Sequence, residues 1–109
     1  MGAAQRSQLE VLRRRILFRS WHRGMRELDL IMGRFAERTI DELTSQELLE
    51  FEQLMEVPDC ELLAWITGEA DVPIAFDSGL FRRLRDFNRS GEGSRWASPR
   101  YIVSRLAAH

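Results

Sequence analysis

Apolar residues recur along most of this chain at spacings of three and four, with polar residues between them. This spacing places apolar side chains on one face of an α-helix, so it predicts a chain that is helical almost throughout. The first helix is expected over about residues 6–21, and the second from Met25 to about Arg38. Their apolar faces are carried by Leu9, Leu12, Ile16 and Leu17 and by Leu28, Ile31, Met32 and Phe35.

Residues that cap or stop helices mark the ends of the next two elements. Thr44 followed by Glu47 is a capping-box pattern, which predicts the start of a third helix. Pro58 ends that helix, because proline offers no amide donor and disfavours helical geometry in the residue before it. Asp59 is expected to cap a short fourth helix, with Gly68 as its left-handed C-terminal residue.

The last part of the chain predicts one more helix and then a tail. Residues 69–76 are expected to form an ordered loop, after which Asp77 or Ser78 caps a fifth helix. The fold class is therefore all-α, a small five-helix bundle over residues 6–88. The run SGEGS predicts a flexible tail over residues 89–109, in which the apolar residues suffice for a short helix but not for an independent fold.

The composition limits the class of protein. A chain of 109 residues with 44% apolar content suffices for one small domain. The chain has a single cysteine, Cys60, which excludes an internal disulfide. Together with only two histidines, it leaves no plausible structural metal site. No apolar run approaches the roughly 18 residues of a membrane span. We expect no membrane insertion and a monomer when the protein is free.

Charge is segregated along the chain although the net charge is only −1. Residues 1–38 hold nine arginines and four acids, residues 39–77 hold eleven acids and no base, and residues 78–109 hold seven arginines and two acids. Either acidic and basic helices pack side by side and neutralise one another, or a basic face is left over for an anionic partner.

Candidate chemistry is sparse. The chain has one internal histidine, no glycine loop that could cradle phosphate and no nucleophile elbow, so we do not expect an enzyme. The alternative reading is a basic helical module that binds nucleic acid or regulates another protein. This interpretation depends on an arginine stripe. The acidic middle third of the chain and a pI near 6.1 argue against it, because acidic groups repel phosphate. The stripe consists of Arg13, Arg14, Arg15, Arg19 and Arg23.

The stretch WHRGMRELD, residues 21–29, contains a glycine that stability does not explain. In a continuous helix Gly24 would cost about 0.5–1 kcal/mol relative to alanine. An Arg23–Glu27 ion pair would return only about 0.2–0.5 kcal/mol. Three explanations stay open at this point: a junction between the first two helices, close approach of another helix of this domain, or a flat contact surface for another protein.

The motif Arg23-Gly24-x-x-Glu27 carries a resemblance in its fuller form RSWHRGMRELDLIMGRF, followed by EVPDCELLAWITG about thirty residues after Glu27. Together these stretches resemble the succinate dehydrogenase assembly factor family, the SdhE type of bacteria, which is related to the mitochondrial flavinylation factor. The resemblance extends over roughly residues 9–87. It implies a five-helix bundle that is not an enzyme and binds no cofactor stably. It also implies a partner, the flavoprotein subunit of succinate dehydrogenase or fumarate reductase, on which it promotes covalent attachment of FAD.

The resemblance implies that Arg23, Gly24 and Glu27 lie at the contact with the flavoprotein. For His22, Arg26 and Trp65, core packing and a contact at the rim of that surface are alternatives. It implies no nucleic-acid partner.

The localisation is predicted from the start of the chain. About twenty-two residues precede the motif and look like a folded helix, which favours a bacterial cytoplasm. The Arg-rich start leaves a mitochondrial matrix as the alternative.

Overall fold

A computed structural model describes residues 3–90 of the chain, with side chains from residue 7 onward. It confirms the all-α prediction, since five α-helices and one 3₁₀ turn account for all regular structure in the described range. The helices are α1 (Ala3–Trp21), α2 (Arg26–Thr39), α3 (Ser45–Met55), α4 (Asp59–Thr67) and α5 (Gly79–Arg89), and the 3₁₀ turn is Ile74–Phe76. The first helix begins three residues earlier than expected. The predicted tail beyond Ser90, with its short helix, lies outside the described residues.

The core forms where α2 and α3 meet α5. Phe35, Phe51 and Phe81 are the largest of its fully buried side chains. The ring of Phe35 lies 5.7 Å from that of Phe51 and 5.6 Å from that of Phe87, measured between centroids. Helix α1 packs chiefly against α2 and α3 at the edge of this core. The α1–α2 turn is therefore placed beside the end of α3.

A close approach between α1 and α2 occurs at Gly33, a residue that the helical pattern did not single out. The indole of Trp21, the last residue of α1, lies directly on the backbone of α2 at this glycine. A Cβ at Gly33 would come within 2.6 Å of Trp21 Cε2, which is far inside van der Waals contact. Gly33 therefore lets the end of α1 rest on α2.

Most of the predicted helix ends are confirmed. The Glu47 amide donates to Thr44 Oγ1 at 3.1 Å and the Thr44 amide donates to Glu47 Oε1 at 3.0 Å, which completes the capping box. Ser78 caps α5 by accepting from the amide of Phe81. Gly68 ends α4 with a φ of 86°, in the left-handed region that favours glycine.

The expected cap at Asp59 is wrong. Pro58 occupies the capping position of α4 without a side-chain hydrogen bond, and Asp59 is the first residue inside the helix. Its carboxylate lies 2.8 Å from Arg23 instead of bonding an amide of its own helix. Proline suits the position because the first amides of a helix have no intrahelical partner.

The acidic middle of the chain neutralises part of the arginine stripe on α1. Three arginines spaced four residues apart, two on α1 and one just after it, each form an ion pair with an acid in α3, directly after α3, or at the start of α4. The pairs are Arg15–Glu52 at 2.9 Å, Arg19–Glu56 at 2.7 Å and Arg23–Asp59 at 2.8 Å. This arrangement supports the prediction that acidic and basic segments pack side by side and neutralise one another.

The capping box predicts a pH dependence of stability. The hydrogen bond from the Thr44 amide, together with Arg83, lowers the pKa of Glu47 below its ordinary value of 4.5. A carboxyl whose pKa is lower in the folded state stabilises the fold fully above its unfolded pKa and loses that contribution as the pH falls through the folded pKa. We expect urea unfolding between about pH 5 and 3 to show a steeper loss of stability in the wild type than in Glu47→Gln. Parallel profiles would contradict this.

Candidate functional site

The turn between α1 and α2 is built around Gly24. Its φ is 97°, a conformation that glycine adopts readily and that other residues adopt only with strain. This confirms the helix junction and excludes a continuous helix, so Arg23 and Glu27 are not neighbours on one helix face. A Cβ at Gly24 would lie 3.8 Å from Asp59 Oδ2, an ordinary contact, so no neighbouring helix demands glycine here. The residue is exposed.

Arg23 points into the domain. Its side chain is only 8% exposed and forms an ion pair with Asp59 at 2.8 Å. Its terminal nitrogens donate to the main-chain carbonyls of Met55 and Val57. Its own amide donates to Asp29 Oδ1 at 2.6 Å. Its predicted contact with a partner stays a prediction, but the guanidinium is already engaged within the chain.

Glu27 has the opposite character. It lies exposed in the first turn of α2, where the helix dipole favours a carboxylate. Among residues 3–90 it makes no hydrogen bond or ion pair, and Arg26 beside it is exposed as well. Its carboxylate can therefore accept charge-assisted hydrogen bonds from another molecule without breaking a bond inside the domain.

The rim residues separate into two environments. His22 is exposed and stacks on Phe18, with ring centroids 4.1 Å apart, and its Nδ1 donates to the Phe18 carbonyl at 2.6 Å. Trp65 is 9% exposed, belongs to the core and packs on Phe76 at 5.3 Å. The structure thus places His22 beside the turn and Trp65 in the core.

Phe18 lies near the Gly24 turn and was not among the candidate residues predicted from the sequence. It is 63% exposed although it is a large apolar residue. It borders a shallow depression of about 340 Å³ between the end of α1 and the α3–α4 turn. The lining residues are Phe18, Arg19, His22, Arg23, Val57, Pro58 and Asp59. The sequence did contain a sign of this exposure: Phe18 follows Leu17 but does not fit the spacing of three and four that defines the buried face of α1.

The described residues contain no cluster of metal-ligating side chains. No helix within them is long and apolar enough to cross a membrane. Fold and turn together define a small helical-bundle domain that presents an exposed glycine turn next to an unpaired carboxylate.

Comparison with known proteins identifies the family. The family model described as flavinator of succinate dehydrogenase matches residues 14–88, and the chain belongs to this family. The match covers the Gly24 turn, all of α2 to α4, and α5 as far as Asn88. The resemblance noted from the motif is therefore confirmed.

Individual relatives agree with this assignment. FAD assembly factor SdhE of Acetobacter pasteurianus is 36% identical over 92 residues, covering 84% of each chain. Succinate dehydrogenase assembly factor 2, mitochondrial, of Dictyostelium discoideum is 37% identical over 79 residues, covering 72% of this chain and 56% of that protein. Its Schizosaccharomyces pombe counterpart is 35% identical over 77 residues, covering 70% and 55%. The chain thus spans little more than half the length of these two mitochondrial relatives, and relatives occur in both bacteria and mitochondria.

Proposed function

We propose that this protein binds the flavoprotein subunit of succinate dehydrogenase, or of the related fumarate reductase, and promotes covalent attachment of FAD to a histidine of that subunit. Family membership and the names of the relatives, which are FAD and succinate dehydrogenase assembly factors, support the proposal. The observation on this chain that carries it is the exposed turn at Gly24, with the unpaired carboxylate of Glu27 beside it.

The protein's contribution is to hold its partner in a productive arrangement. Covalent attachment requires a histidine, the flavin and a charge-stabilising group of the flavoprotein to be held together. A domain that binds this arrangement more tightly than the others shifts the population towards it. It then dissociates when the mature flavoprotein no longer presents the same surface. FAD stays with the flavoprotein throughout, and this chain holds no cofactor stably.

Two residues have separate roles in the contact. Gly24 allows the partner to approach the main chain closely, because it has no side chain to hold the partner away. Glu27 accepts directional hydrogen bonds from donors on the flavoprotein. Both roles follow from exposure of the turn, and both can be tested by substitution.

The function is tested by reconstitution with purified components. The flavoprotein subunit lacking covalent flavin is incubated with FAD, with and without this protein, and flavin fluorescence is read on a denaturing gel. We expect covalent flavin to form faster when the protein is present. Equal labelling in both reactions would overturn the proposal.

Glu27→Gln is expected to lower the rate of covalent flavin formation about tenfold at limiting concentration of this protein, because a hydrogen bond to a charged group contributes about 1.5–3 kcal/mol. The substitution should leave the domain folded, since the carboxylate has no partner among the described residues. Glu37→Gln is the control, because Glu37 is also exposed on α2 about three turns further along, where its contact with Arg34 is a long one of 4.0 Å. An equal effect of the two substitutions would argue against a specific contact at Glu27.

A further inference from the structure

The guanidinium of Arg23 lies between the end of one helix and the start of the next. It donates hydrogen bonds to two main-chain carbonyls, that of Met55 at the end of α3 and that of Val57 two residues later. Carbonyls at the C-terminal end of a helix have no intrahelical amide to bond. The same guanidinium pairs with Asp59, which begins α4 and whose carboxylate is favoured at that end of the helix dipole. We call these four groups the Arg23 clasp.

The clasp leaves little of Arg23 for another molecule. Its side chain is 8% exposed, and both terminal nitrogens are used within the domain. Turning the guanidinium outward would leave Asp59 and the Val57 carbonyl without the donors they have here, and the Met55 carbonyl with only a 3.5 Å bond from Arg19. Breaking a partly buried pair in this way is costly, because the remaining charge and the unsatisfied acceptors are left poorly solvated.

The clasp also fixes the position of Gly24, the next residue in the chain. The amide of Arg23 donates to Asp29 Oδ1, so the main chain just before Gly24 is held from the α2 side. The side chain of Arg23 holds it from the α3–α4 side. Asp59 Oδ2 lies 3.8 Å from the place where a Cβ of Gly24 would stand, so the same carboxylate lies next to the turn.

We propose that Arg23 and Asp59 are positioning residues, which hold the Gly24 turn on the α3–α4 turn so that Gly24 and Glu27 meet the flavoprotein, and that Arg23 itself does not contact the partner. The proposal rests on the proposed function, since it concerns how the turn is presented to the flavoprotein. It adds Asp59 to the residues on which binding depends, although Asp59 lies outside the motif.

A double-mutant cycle tests the clasp. Arg23→Gln, Asp59→Asn and the double variant are compared with wild type for affinity towards the flavoprotein subunit and for amide hydrogen exchange at Gly24 and Met25. We expect each single substitution to weaken binding about tenfold, equivalent to about 1.4 kcal/mol, and to accelerate exchange at the turn. The double variant should bind no more weakly than either single variant, because both remove the same interaction.

A direct contact of Arg23 with the partner predicts a different pattern. Asp59→Asn would then bind like the wild type while Arg23→Gln lost affinity, or the two losses would multiply in the double variant. Either result overturns the proposal. Losses from Arg23→Gln and Glu27→Gln should combine to less than their product, since Arg23 acts through the position of the turn that presents Glu27. Glu52→Gln is the control, because it removes the Arg15–Glu52 pair on the same face of α1 without touching the turn.

The readouts separate failure of the clasp from failure of the proposed function. Amide exchange and circular dichroism are measured on the isolated protein, so unchanged exchange at Gly24 in all three variants overturns the clasp whether or not the flavoprotein binds. Absence of any wild-type complex refutes the proposed function alone. Should Asp59→Asn fail to fold, Asp59→Glu keeps the charge and is expected to retain slow exchange at the turn.

Discussion

Gly24→Ala is expected to lower covalent flavin formation about 30-fold, as for a central contact worth about 2 kcal/mol. A methyl group at this exposed turn would hold the flavoprotein away from the main chain. The φ of 97° adds backbone strain of about 1–2 kcal/mol, which the domain should tolerate without unfolding. The measurement is gel fluorescence of the labelled flavoprotein, read together with the circular dichroism of the variant.

Gly68→Ala is the matched control for this prediction. Gly68 has a φ of 86° and is exposed, and an added Cβ would meet nothing closer than 4.0 Å. The two substitutions should therefore cost similar stability, while only Gly24→Ala should reduce flavin attachment. If both reduce attachment equally, loss of stability explains the effect of Gly24→Ala and the contact does not.

Gly33→Ala is expected to be the most destabilising single-methyl addition, lowering the free energy of unfolding by about 2 kcal/mol. The new Cβ would overlap the Trp21 indole and force it off α2. For a domain of this size the melting temperature should fall by about 10 °C, measured by thermal circular dichroism.

Gly79→Ala is the corresponding control for Gly33. It lies at the first position of α5, with no atom within 4 Å of an added Cβ, so the melting temperature should stay the same or rise. A second test combines Gly33→Ala with Trp21→Leu. The smaller side chain removes the overlap, so the double variant should be less destabilised than the sum of the two single changes. Additive losses would show that the two residues do not meet.

The elements that could be predicted from the sequence depend on short-range signals. The capping box at Thr44 and Glu47, the left-handed Gly68 and the cap at Ser78 each involve residues within four positions of one another, and all three are confirmed. The cap at Asp59 was wrong because an acid after proline fits both the capping position and the first helical position. Only the course of the main chain separates these two possibilities.

The parts of the site that could not be predicted depend on residues distant in the sequence. The carbonyls bound by Arg23 belong to residues 32 and 34 positions later, so the nine residues around Gly24 contain no sign of them. The contact of Trp21 with Gly33 likewise depends on the angle between two helices. The motif located the turn correctly, but the inward direction of the Arg23 side chain required the fold.

The ring of Trp21 lying on the bare backbone of Gly33 has a consequence for the thermodynamics of binding. It fixes the end of α1 against α2 immediately before the Gly24 turn, so the turn has little conformational freedom to lose when a partner binds. A preorganised contact loses less entropy on association, and a larger share of its interaction energy then appears as affinity. On the proposed function, preorganisation lets a short contact turn contribute more affinity to the flavoprotein complex than a flexible turn of the same size would.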